Sequence, residues 1–444
     1  MSETWTKMTA SDLGRAIDRG KIDPVDLTDM FFAEIKANAF RDTIYARLTE
    51  TRAKAEAEAA SKRASDKTRR SLLDGIPISW KDLFDTAGTA TESGSALLKG
   101  RTPDRDAVVL ENASHKGLIC LGKTHQTELA FSGLGVNPVT ATPPNSVSHE
   151  LAPGGSSSGA AVSTALGLAA AGIGSDTGGS VRIPSAWNNL VGLKTTSGLL
   201  SLEGVVPLCA KFDTVGPLCR SVEDASQLLA AMGGLPPADL KNPTVKGKRF
   251  AIPRAVGLEN CEDPIIAAFE NAVDALRKAG AIIEDIDTPE VVGAFELAPC
   301  LFTAEAYATW GETIEKNPDV MFEGVRNRFL SGKQYSAADY IRAWHQLDAH
   351  RDQFAKRTAS FDAVLLPTCA MIPPNAIRLI DDADYFQTYN LEALKKTRIG
   401  NLMGSCGLTL PTSTDHVGIS ILGKPFGENA LLRLGAAVEP LFRQ

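Results

Sequence analysis

The chain has 444 residues, 43% of them hydrophobic and 22% charged, and its 46 Lys and Arg against 53 Asp and Glu give a formal net charge of −7. So ordinary a composition excludes collagen, coiled coil and wholesale disorder, and an acidic balance without a basic run speaks against direct nucleic-acid binding. At about 150 residues per domain the length suggests about three domains, though one large α/β layer structure is also allowed.

In chain order, Met1-Ser2-Glu3-Thr4-Trp5 has no basic region followed by an apolar stretch, so neither a secretory nor a transit signal is expected and the expected location is cytoplasmic. Asp23-Pro24 ahead of Val25, Leu27, Met30, Phe31 and Ile35 supplies an N-cap, a proline at N1 and an apolar helical stripe, so residues 1–65 are expected to be helical. A strand near 76–80, a helix over 106–116, a strand at 118–121 and a small-residue helix over 158–171 follow. The apolar run 160–174 is shorter than the ~18 residues a bilayer requires and contains Ser163 and Thr164, so it reads as a buried helix and no membrane is expected. Beyond Pro236-Pro237 the rhythm resumes with a strand at 249–252, a helix at 264–278 and a strand at 281–286, as expected of an α/β sheet running through both parts. From 292 to 360 apolar and aromatic residues such as Phe322, Val325, Phe329, Tyr340, Trp344 and Leu347 keep helical spacing, which predicts a helical cap. Strands at 363–366, 408–410 and 418–422 and a closing helix over 428–442 complete the chain. The seven scattered cysteines are expected to be reduced core residues.

Most of the chemistry lies in Pro153-Gly154-Gly155-Ser156-Ser157-Ser158-Gly159 and in Gly174-Ser175-Asp176-Thr177-Gly178-Gly179-Ser180-Val181-Arg182. Two glycine–serine loops flanking one close-packing helix place hydroxyls and unpaired backbone N–H groups together, a cradle suited to an oxyanion. Gly and Ser that merely make turns would give the same pattern. A phosphate loop is a poor fit because no Lys-Ser/Thr follows Gly159. Gly155-Ser156-Ser157-Ser158-Gly159 fits the nucleophile elbow G-x-S-x-G with Ser157 central, but the elbow needs a preceding strand and residues 143–149 read as a loop.

These two segments, with Val191-Gly192-Leu193-Lys194, resemble the signature of the amidase signature family of serine hydrolases. Gly75 to Asp82, Leu121-Gly122-Lys123-Thr124 with Glu128, Gly204 to Pro207, Phe212 to Leu218 and Ser221 to Ala225 extend the resemblance over about residues 70–230. It implies Ser180 as nucleophile, Ser156 as bridging serine with a cis Gly155–Ser156 peptide, and Lys81 as base. The oxyanion hole would be the backbone N–H groups of Thr177, Gly178, Gly179 and Ser180. Asp176 and Arg182 are expected to pair and hold the loop, Ser157 and Ser158 to brace it, and Phe131 and Ser132 to line the acyl pocket. A buried lysine sheds its proton more readily than a solvated one, so such a triad works without histidine; an apparent pKa of about 7–8 is expected. His125 stands where the family often has asparagine. No metal-ligand spacing occurs, so neither a metal nor a cofactor is expected.

The expected fold is a single α/β/α domain over 1–444, a large mixed β-sheet covered by helices on both faces, with a 70–230 signature core and a 292–360 helical cap at the substrate entrance. The expected reaction is hydrolysis of a linear amide, ester or carbamate through an acyl-serine, on a small-molecule amide substrate, by a chain that works alone or as a homodimer. The alternatives are the glutaminase subunit of a tRNA-dependent amidotransferase and a non-catalytic binding protein of the same fold. Asn188-Asn189 replaces the cysteine–glycine pair expected of the glutaminase subunit, and retention of Lys81, Ser156 and Ser180 argues against the binding protein.

Overall fold

A computed structural model describes residues 5–443; Met1 to Thr4, part of the stretch read for a targeting signal, lie outside the described residues. Eleven strands form one mixed sheet: β1 (Tyr45–Leu48), β2 (Pro77–Lys81), β3 (Ile119–Thr124), β4 (Gly172–Ser175), β5 (Val191–Lys194), β6 (Val215–Cys219), β7 (Arg249–Ile252), β8 (Ile282–Asp285), β9 (Ala363–Pro367), β10 (Cys406–Pro411) and β11 (Gly418–Gly423). Their spatial order is β1-β3-β2-β4-β6-β5-β10-β11-β9-β7-β8. β2 runs parallel to both β3 and β4, and β7 runs parallel to β8 and β9. The central strands are buried along their whole length, as they must be when helices cover both faces.

Three expectations need correction. The stretch up to residue 65 is not wholly helical: after helices Ala10–Asp18 and Pro24–Ala37 the chain forms β1 on the sheet edge before helix Glu50–Ser65. The helix starting at Ser158 stops at Ala165 rather than near 171, and Gly167, with φ +75°, turns the chain so that Gly172–Ser175 can enter the sheet as β4. Helices Ala376–Asp381, Ala383–Lys395 and Thr397–Leu402 fill a region to which the sequence assigned no element. The helical cap is present as Pro289–Lys316, Glu323–Leu330 and Ala337–Arg357. The first of these is the one described helix long and apolar enough to span a membrane, and it buries Ala294, Leu301 and Ile314 in the protein core.

Topology positions the chemistry. Ser79 and Trp80 of β2 pair with Gly172 and Ile173 of β4, so the parallel strands end side by side, with Lys81 closing β2 and Ser175 closing β4. The chain leaves β4 through residues 176–181 and enters helix Arg182–Trp187, and Ser156 arrives on the loop before helix Ser158–Ala165.

Candidate active site

Lys81 is fully buried, and its Nζ donates to Ser156 Oγ at 2.7 Å and to Ser175 Oγ at 2.8 Å. Burial pulls its pKa down from 10.5 to about 7, against the opposing pull of Asp213 and Asp176. Ser175 was not among the residues singled out in the sequence; ending the strand beside that of Lys81 is what brings its hydroxyl to the amine. The Gly155–Ser156 peptide is cis. Ser157 N–H donates to the Ser180 carbonyl at 3.3 Å and Ser157 Oγ to the Ser175 carbonyl at 3.2 Å, which ties the two serine loops together. Ser158 Oγ reaches only the His125 carbonyl, at 3.5 Å.

Ser180 is 3% exposed and lines a narrow cleft, while its hydroxyl makes no protein hydrogen bond among the described residues. The backbone N–H groups of Thr177, Gly178 and Ser180 likewise have no protein acceptor among the described residues. Gly179 differs from the expectation: its N–H donates to Asp176 Oδ1 at 2.9 Å, so this amide holds the loop together. Gly179 has φ +140°, and a Cβ there would lie 2.2 Å from Thr397 Oγ1, so only glycine fits.

Asp176 is the hub of the loop. Besides Gly179 N–H it accepts from Val181 N–H at 3.2 Å, from Arg182 Nε and Nη2 at 3.0 Å each, and from Asn401 Nδ2 at 2.9 Å. Burial alone would raise its pKa, but the Arg182 guanidinium, Lys194 and the Asn401 amide together outweigh burial and hold it at about 2. Arg182 also donates to the Thr397 carbonyl and Asn401 Oδ1. On the other side Thr177 Oγ1 donates to Asp213 Oδ1, and Thr397 Oγ1 donates to the Gly178 carbonyl. The expected Asp176–Arg182 pair is thus the middle of a larger network whose members from helix Thr397–Leu402 carry no local sequence signal.

Phe131 and Ser132 line the cleft with Ser180, joined by Phe302 and Arg328 from the helical cap and Arg398 from helix Thr397–Leu402. The cleft offers about 20 Å³, room for about one water molecule. A larger cavity of about 600 Å³ lies elsewhere, behind Phe212, whose ring stacks on Phe302 at 4.4 Å; it includes neither Ser180, Ser156 nor Lys81. The arrangement of hydroxyls and free amides, not cavity size, therefore marks the site. His125 has its pKa lowered to about 4 by burial, and no group of three or more His, Cys, Asp or Glu among the described residues is arranged to hold a metal.

The family model described as Amidase matches residues 26–432. The chain belongs to the amidase family. Among curated members, 2-amino-5-chloromuconic acid deaminase from Comamonas testosteroni is 34% identical over 388 aligned positions, covering 84% of this chain and 82% of that protein. A glutamyl-tRNA(Gln) amidotransferase subunit from Anaeromyxobacter sp. (strain K) is 30% identical, covering 96% of this chain and 95% of the relative. A crystal structure of an amidase superposes with a TM-score of 0.87 at 28% identity, covering 98% of this chain and 99% of the other. Family membership agrees with the α/β fold and the single mixed sheet.

Proposed function

We propose that this enzyme hydrolyses a linear carboxylic amide through an acyl-Ser180 intermediate. The observation that carries the reading is a fully buried amine, Lys81, with its pKa lowered to about 7, hydrogen-bonded to Ser156 beside a loop that presents Ser180 and three unpaired amides. Neutral Lys81 takes the Ser156 proton as Ser156 takes that of Ser180, and the Ser180 oxygen attacks the carbonyl. The N–H groups of Thr177, Gly178 and Ser180 meet the negative charge that develops on the carbonyl oxygen. The same relay run backwards delivers the proton to the leaving nitrogen, and water then frees the acid. The hydroxyls of Ser180 and Ser156 do not bond each other in this state, so rotation of Ser180 on substrate binding completes the relay. The oxyanion chemistry extends to esters and carbamates.

The curated amidotransferase relatives match almost the whole chain, which keeps the glutaminase reading as the second one. Asn188, where that reading expects a cysteine, instead donates to the Pro153 and Pro184 carbonyls and braces the Ser156 loop. We favour an enzyme that works alone or as a homodimer, in the cytoplasm, where seven free cysteines stay reduced. The test is fluorophosphonate labelling of the purified chain, peptide mapping, and ammonia release from a primary amide. An adduct on Ser180 with ammonia release is expected; an adduct on Ser157, or no turnover without a partner protein, would overturn the reading.

A further inference from the structure

Two other buried arginines are held by several acceptors each. Arg182 is held by Asp176, Asn401 and a carbonyl, and Arg220 by the carbonyls of Thr164, Ala169 and Ala170. The two arginines of the cleft are different. Neither Arg328 nor Arg398 has a side-chain hydrogen bond or an ion pair among the described residues, and Arg328 Nε is buried with no partner. Each instead stacks on an aromatic ring: Arg328 lies over Phe131 at 4.5 Å and Arg398 over Phe302 at 5.5 Å. Such stacking holds a guanidinium by its face and leaves its N–H edges free. Arg398 is also against the loop that presents Ser180, its Nε lying 3.8 Å from where a Cβ on Gly178 would stand.

Burial and the charge of Arg398 push Arg328 down to about 9, and burial pushes Arg398 down to about 10. Both remain charged at neutral pH, and no carboxylate relieves either. Two uncompensated cations side by side in one partly buried cleft are costly, and a pair of planar donor forks matches one carboxylate.

We propose that the amide cleaved here carries a carboxylate a few bonds from its scissile carbonyl, and that Arg328 and Arg398 bind it together. This rests on Ser180 as the nucleophile. Because Ser180, Arg328 and Arg398 line one narrow cleft, a short acyl group spans the distance from nucleophile to guanidinium, which makes the half-amide of a short dicarboxylic acid the leading class; water converts it to the dicarboxylate and ammonia. A carboxylate on the amine side would present the same anion, and the assay separates the two.

The experiment measures kcat/KM for succinamate and its neutral isostere butyramide, and for N-butyrylglycine and its methylamide. At least about a hundredfold preference for the anion is expected in one of the pairs. In Arg328→Ala and Arg398→Ala that ratio should fall at least about tenfold, and in the double variant it should approach one, with Lys at either position restoring part of it. Fluorophosphonate labelling of Ser180 in every variant reports an intact fold and nucleophile. No anion preference in a wild type that labels at Ser180 would overturn this proposal alone, whereas absence of labelling would overturn the hydrolase reading beneath it. Equal losses on anionic and neutral substrates in the variants would assign the arginines to the oxyanion or to the fold and also refute it.

Discussion

Consider the wild-type enzyme titrated on a primary amide from pH 5 to pH 10. A solvated lysine with a pKa of 10.5 is about 0.03% neutral at pH 7, whereas Lys81, lowered to about 7, is about half neutral, a gain of about a thousandfold in free base. The rate constant kcat/KM should therefore fall about tenfold per pH unit below about pH 6 and level off above about pH 8. The same depression costs about 5 kcal/mol of folding stability at low pH. Between pH 7 and 10.5 the unfolded chain binds the proton that the folded protein has lost, so stability gains from this group as pH rises. Lys81→Ala should lower kcat/KM on an amide by about 10²–10⁴ and on an activated ester by less, because a good leaving group needs little protonation. A pH profile flat from 5 to 9, or equal losses on amide and ester, would refute the role of Lys81 in returning the proton.

Gly179→Ala puts a methyl 2.2 Å from Thr397 Oγ1, so kcat/KM should drop at least about a hundredfold as the loop loses its shape; near-normal kinetics would mean the loop is pliable. Asp176→Asn leaves Arg182 buried without its counter-charge, and urea unfolding should show a loss of about 3–5 kcal/mol. Glu128, whose carboxylate accepts from Phe322 N–H and Ser95 Oγ, is raised from 4.5 to about 7 by burial. Its contribution is full below pH 4.5 and lost as pH rises through about 7, so Glu128→Gln should be more stable than wild type at pH 8 by up to about 3 kcal/mol and similar at pH 4, read from thermal melts.

What the sequence made legible follows from where the signal is local. β2, β9, β11 and the closing helix Glu428–Phe442 have apolar runs or caps within their own residues, and all lie within a residue or two of their expected places. β4, β5 and β6 read Gly-Ile-Gly-Ser, Val-Gly-Leu-Lys and Val-Gly-Pro-Leu-Cys. Buried on both faces and broken by glycine and proline, they have no alternation to find, and only the family resemblance drew attention to two of them. The triad candidates sit in three short motifs, Gly75 to Asp82, Pro153 to Gly159 and Gly174 to Arg182, and were visible. Ser175, Asn401, Arg328 and Arg398 were not, because their relevance lies in partners from other elements, or in having none.

Burial acts differently on the cations around this cleft, and the difference predicts one more result. An amine starting at 10.5 reaches neutrality when taken out of water, whereas the guanidiniums of Arg328 and Arg398 descend only to about 9 and 10 and remain charged. Desolvation thus makes a base of Lys81 and fixed charges of the arginines, so Lys81→Arg exchanges one function for the other. The new guanidinium can still donate to Ser156 and Ser175 but cannot accept their protons. Lys81→Arg should therefore be inactive on amide and ester alike, in contrast to Lys81→Ala, in which water admitted to the vacated space can serve attack on an activated ester. Both variants are compared by circular dichroism melts before assay. Substantial amide turnover by a folded Lys81→Arg protein would show that a neutral amine at this position is unnecessary, and the base would have to be sought elsewhere.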